Sequence, residues 1–89
     1  MRYVKNPNVV ARTVAGEDIL VPLNEPARRI FTLSRTGRAL WDRLAAPAEP
    51  AELEDLLVTR FKGPPEKVKA DVAKFLDSMF EFNLVRIAD

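Results

Sequence analysis

Four arginines, Arg28, Arg29, Arg35 and Arg38, bracket the apolar stretch Ile30-Phe31-Thr32-Leu33. Such a grouping is either a solvated, guarded strand edge or a surface that could do the chemistry of recognition. The guanidiniums attract an acidic surface, and a β-prone stretch offers its backbone to a second chain. The groups that usually make and break bonds are missing. The chain has no histidine and no cysteine, which removes the commonest general base, the thiolate nucleophile and the usual soft metal ligands. Its three glycines, at 16, 37 and 63, are too scattered for a phosphate loop. The paired carboxylates Glu52 and Asp55 fall in the first turn of an expected helix, where the helix dipole is their ordinary explanation. No catalytic residue, metal site or cofactor is expected.

The elements that position these residues change type at Ser34. Residues 29 to 33 read as a strand by β-propensity, and Ser34, or alternatively Thr36, reads as the cap of the helix that follows. Two strands are expected upstream, over residues 9 to 14 and 18 to 23, joined by Ala15-Gly16-Glu17. Pro22 lacks a ladder donor and must end the second strand or face outward. Asn24-Glu25-Pro26-Ala27 reads as a turn. Consecutive strands with short connections favour an antiparallel meander. Residues 1 to 8 are polar and read as a loosely held arm ahead of a domain over residues 9 to 89.

Three helices are expected downstream, near residues 35 to 45, 51 to 61 and 65 to 82. Leu40, Trp41 and Leu44 form one apolar stripe, with Trp41 read as core. The third helix has an apolar arc wider than a surface helix needs, through Val68, Val72, Phe75, Leu76, Met79 and Phe82 and, beyond Lys69, on to Ala73 and Phe80. Either the helix is central, or Ala73, Leu76 and Phe80 form one wall of a groove. Asn83 reads as a left-handed stop, and Leu84, Val85 and Ile87 as a short closing strand or further packing. The fold class is therefore α+β, with a three-stranded antiparallel sheet ahead of a three-helix winged helix-turn-helix bundle.

Eighty-nine residues make one small domain. The formal charge of +1 is unevenly spread, with eight Lys/Arg against four Asp/Glu in residues 1–43 and six against nine in residues 44–89. The basic half reads either as a guarded strand edge or as a surface for an acidic partner. No apolar run reaches the roughly 18 residues of a membrane span, and the first residues lack the apolar stretch of a signal peptide. A cytoplasmic protein is expected. A winged helix raises DNA binding as an alternative. The third helix disfavours it, with Lys67, Lys69 and Lys74 against Glu66, Asp71, Asp77 and Glu81, and no Arg, Asn or Gln ahead of Asn83.

Three runs in order carry a family likeness. These are Val-Ala-Gly-Glu-Asp-Ile-Leu-Val-Pro-Leu-Asn (14 to 24), Ile-Phe-Thr-Leu-Ser-Arg-Thr-Gly-Arg-Ala-Leu-Trp (30 to 41) and Asp-Val-Ala-Lys-Phe-Leu-Asp-Ser-Met (71 to 79) with Leu84 beyond it. Together they resemble the PqqD-like proteins from about Val9 to Val85. Ser34 stands where the family usually has Asn, and Asn83 where it usually has Gly.

The resemblance implies a noncatalytic recognition element for ribosomally made, modified peptides. It implies that a precursor's leader adds as a strand beside the third strand and lies against the third helix. The domain then presents the precursor to a modifying enzyme, a radical S-adenosylmethionine enzyme in the case of pyrroloquinoline quinone. Family members also occur as dimers, so a homodimer is a further expectation. The open strand edge, its arginines and the wide helix arc suit this reading. The expected peptide-binding residues are Arg28, Arg29, Ile30, Phe31, Thr32 and Leu33 on the strand, and Lys69, Ala73, Leu76 and Phe80 on the helix. A winged-helix DNA binder and a structural or oligomerising subunit are the competing readings.

Overall fold

The computed structural model describes residues 1–24 and 29–88. Its elements are β1 (Tyr3–Lys5), β2 (Val9–Val14), β3 (Glu17–Pro22), β4 (Phe31–Leu33), α1 (Arg35–Arg43), α2 (Pro50–Phe61), α3 (Pro65–Glu81) and β5 (Val85–Ile87). An antiparallel sheet of order β2-β3-β4 precedes the three helices, the α+β arrangement expected from the sequence. Arg28, and the expected turn from Glu25 onward, lie outside the described residues.

β2 and β3 pair from Val9 opposite Pro22 to Val14 opposite Glu17. Their two-residue loop, Ala15-Gly16, has φ of 51° and 83°, the positive pair whose twist matches the strands it joins. β4 aligns Leu33 with Asp18, Thr32 with Ile19 and Phe31 with Leu20. It is shorter than the expected strand, because Arg29 and Ile30 are exposed and outside the ladder.

Ser34 is the cap of α1, its Oγ accepting the Gly37 N–H at 3.1 Å. Thr36, the alternative cap, lies inside the helix. α2 opens on a capping box formed by Glu49 and Glu52, with Pro50 at its first position. At the α2–α3 corner a Cβ on Gly63 would meet Val68 Cγ2 at 2.6 Å, so glycine permits the close approach. α3 ends in a Schellman turn. Asn83 has a φ of 58°, and the N–H groups of Asn83 and Leu84 donate to the Phe80 and Met79 carbonyls at 3.0 and 2.8 Å.

The first eight residues differ from the expected arm. β1 pairs antiparallel with β5, matching Tyr3, Val4 and Lys5 to Ile87, Arg86 and Val85. Tyr3 also exchanges backbone hydrogen bonds with Ala48 at 2.8 and 2.9 Å. Asn6 is the one buried polar residue among those described. Its Nδ2 donates to the Asn83 carbonyl at 2.9 Å, and its Oδ1 accepts the Asn8 N–H at 3.0 Å. The segment is held because the closing strand and the α1–α2 linker carry backbone groups that need partners.

Trp41, Leu20, Leu44, Leu53, Val72, Leu84 and Val85 are fully buried. They join the sheet's inner face to all three helices. Trp41 is core, as its spacing predicts. Among the described residues no helix is long and apolar enough to cross a membrane.

Candidate functional site

β3 occupies one edge of β4, and among the described residues no strand occupies the other. In an antiparallel ladder alternate residues turn their N–H and C=O outward, so this edge can take a guest strand. A groove of about 710 Å³ opens where Thr32 and Ser34 face Lys67, Asp71, Lys74, Phe75 and Ser78 of α3. Phe61 closes it at the end of α2. The groove therefore has a main-chain edge on one side, a mixed polar and aromatic helix face on the other, and core side chains beneath.

Local sequence dictates this arrangement. Ser34 turns the chain out of β4 straight into α1. Gly37 is buried in the first turn, where a Cβ would press on the capping Ser34 Oγ at 3.2 Å and make only ordinary contact, at 3.7 Å, with the Phe75 ring. At the other end of β4 the rings of Phe31 and Phe82 stand 5.1 Å apart. The Arg29 guanidinium lies 5.0 Å from Phe82 and 5.7 Å from Phe31. A cation thus caps the aromatic pair that joins the edge strand to the end of α3.

The sequence profile described as coenzyme PQQ synthesis protein D (PqqD) matches residues 20–85. The chain belongs to the PqqD family. That match covers β4, all three helices and the groove between them. Two solved structures share the fold. One, TbiB1 in complex with the TbiA(beta) leader peptide, is 23% identical with a TM-score of 0.78, over 97% of this chain and 99% of that one. The other, lasso peptide synthetase B1 complexed with the leader peptide, is 15% identical with a TM-score of 0.78, over 96% of this chain and 98% of that one. No curated protein matches the chain.

The structure of this PqqD-family chain sorts the residues expected from sequence into two groups. Thr32 lines the groove, Phe31 and Arg29 meet Phe82 at the other end of β4 outside that lining, and Ile30 is exposed just ahead of β4. Leu33 turns inward to the core. On α3, Leu76 is only 4% exposed and belongs to the core. Lys69, Ala73 and Phe80 are exposed but do not line the groove beside β4. Ala73 is two residues from Phe75, about 160° around the helix. The face turned to the strand is instead the one carrying Lys67, Asp71, Lys74, Phe75 and Ser78. An apolar arc shows that a helix has more than one buried side; it does not show which side meets the strand. The polar positions Lys74 and Ser78 beside Phe75 were the available signal, since a groove wall is half wet.

Glu52, one of the paired carboxylates, is occupied in structure. Its side chain accepts the Glu49 N–H at 2.7 Å and the Arg43 guanidinium at 2.8 Å. The backbone bond from Glu49 first, and Arg43 after it, hold its pKa below the ordinary glutamate value. Among the described residues no three acidic side chains converge into a metal-ligand cluster.

Proposed function

We propose that this domain is a noncatalytic peptide-recognition element. It captures the leader of a ribosomally made precursor by strand addition to the outer edge of β4, lays it along α3, and presents the precursor to a modifying enzyme. The observation that carries the reading is the edge of β4 beside the groove, which no strand occupies among the described residues. Main-chain pairing supplies affinity with little demand on guest sequence, and the groove supplies selectivity through side chains. Membership of the PqqD family supports it, as does a shared fold with two proteins solved with leader peptides. The partner enzyme is a radical S-adenosylmethionine enzyme or another that modifies such peptides.

The winged-helix alternative finds less support. α3 presents Lys67, Lys69 and Lys74 among four carboxylates, and Lys67 is tied to Asp71 at 3.0 Å. A helix that reads DNA needs a face of uncompensated donors. Titration calorimetry of the full chain with the leaders of short precursors encoded beside its gene tests the proposal. Saturable micromolar binding is expected with one of them. No heat at high micromolar concentration from any of them, together with a salt-sensitive shift of duplex DNA, would favour the alternative. Light scattering on the same samples tests for a homodimer.

A further inference from the structure

The groove ends at a second feature that the strand edge alone does not require. Arg35, at the start of α1, holds its guanidinium 5.6 Å from the Phe61 ring, and Arg60 holds its own 5.5 Å from the same ring. Phe61 is half-buried, while both arginines are exposed. Two positive charges 25 positions apart in sequence are thus brought to one aromatic plane.

Their neighbours differ from them in one respect. Arg38 is engaged by Asp18 and Asp42, both at 3.1 Å, and Arg43 by Glu52 at 2.8 Å. Arg35 and Arg60 pair with no carboxylate among the described residues. They line a second hollow of about 520 Å³ together with Thr32, Phe61, Glu17, Asp18 and Asp42. Asp18 and Asp42 already answer Arg38, which leaves, among the described residues, Glu17 as the sole unpaired carboxylate lining it against two guanidiniums with no carboxylate partner. Thr32 and Phe61 line both hollows, so a strand paired to β4 passes directly to this cation pair.

We propose that Arg35 and Arg60, steadied on Phe61, form a carboxylate subsite that selects an acidic side chain in the guest peptide next to its strand-forming segment. The inference rests on strand addition at β4 and names the chemistry of the guest. A guanidinium held over a ring has fewer free rotamers, while its N–H groups, which point outward in its own plane, remain free to donate. A carboxylate placed there accepts charge-assisted hydrogen bonds and relieves the repulsion between the two cations.

The test is selection from a displayed random library of peptides about 12 residues long, enough for a strand and its continuation, against the full chain. Arg35→Glu/Arg60→Glu is selected in parallel, with circular dichroism confirming its fold. Parent binders are expected to alternate in apolar character and to carry Asp or Glu at a fixed distance from that segment. The double variant should bind those peptides at least about tenfold more weakly at low salt, with the gap closing as salt rises. It should itself enrich Lys or Arg at the same position. Alternating binders without a fixed carboxylate, or binders that the double variant holds equally well, overturn the subsite and leave strand addition standing. A library that yields no strand-forming binder overturns both.

Discussion

The ring of Phe82 lies 5.1 Å from that of Phe31, inclined at 46°, and so fastens the last turn of α3 to the edge strand. The tilted geometry is favourable for two quadrupoles and adds about 0.5–1.5 kcal/mol beyond burial. Phe82 remains 37% exposed, so its truncation should cost less than the roughly 3–5 kcal/mol of a fully buried phenylalanine. Phe82→Ala is expected to lower unfolding stability by about 1–2 kcal/mol in urea. Phe82→Leu should recover part of that. An unchanged urea midpoint for the alanine variant would mean that the pair does not hold the strand.

Asn6 supports a second prediction. Its side chain satisfies the Asn83 carbonyl and the Asn8 N–H in a buried position. Asn6→Ala strands both, at about 1–3 kcal/mol. The loss should be local before it is global. Hydrogen exchange at the amides of β1 and β5 is expected to quicken more than exchange in α3. Uniform quickening would show that the β1–β5 pair has no separate stability.

Much of this architecture is legible in the chain because it is written in local signals. The Ser34 cap, the Asn83 stop, Pro65 opening α3 and the Ala15-Gly16 turn each act over a few residues, and each falls where the sequence places it. β1 was illegible for the opposite reason. Tyr3 pairs with Ile87 across the whole chain, and nothing in a polar segment announces a partner so distant. The edge strand beside the groove was readable from β-propensity at Phe31 and Thr32. The helix side was not, because Leu76 and Phe75 are equally apolar in composition. Only packing reveals that Leu76 faces the core while Phe75 faces the groove. Arg60 was unreadable for the same reason, since its relation to Arg35 exists only through Phe61.

Glu52 gives the pH dependence a sign. Its folded-state pKa is lowered, first by the Glu49 N–H and then by Arg43. A depressed carboxylate contributes stability that is present above its unfolded value and is lost as pH falls through the folded one. Glu52→Gln removes that contribution. The variant is therefore expected to be less stable than the parent at neutral pH, with the difference narrowing as the pH drops below the ordinary value of 4.5. Urea midpoints across the acid range measure it. A difference that stays constant into strong acid would mean that the charge of Glu52 is irrelevant.

Strand addition makes a prediction about Thr32. Main-chain pairing survives truncation of a side chain but not loss of a backbone donor. Thr32→Pro should weaken leader binding far more than Thr32→Ala, with both variants folded by circular dichroism. Thr32 pairs with Ile19 in the ladder, so the proline variant also needs its own stability measurement. A folded Thr32→Pro that binds the leader like the parent would exclude pairing at this edge.

The last prediction decides which face of α3 meets the guest. Ser78 lines the groove beside β4, whereas Ala73 is exposed on another side of the same helix. Substituting Leu76, as the apolar arc first suggests, cannot separate the two. It is a core residue at 4% exposure, so a charge there unfolds the domain. Exposed positions avoid that difficulty. Ser78→Trp and Ala73→Trp place the same bulk on the two faces; the first is about neutral in helix propensity and the second costs about half a kcal/mol, so binding is compared on folded protein. If the leader lies between β4 and α3, Ser78→Trp fills its path and should weaken binding by about tenfold or more, roughly the loss of one good anchoring contact. Ala73→Trp should leave binding within about twofold, as surface changes away from a contact usually do. The reverse ranking would place the guest on the face carrying Lys69, Ala73 and Phe80. It would also show that the groove beside Phe75 serves another purpose.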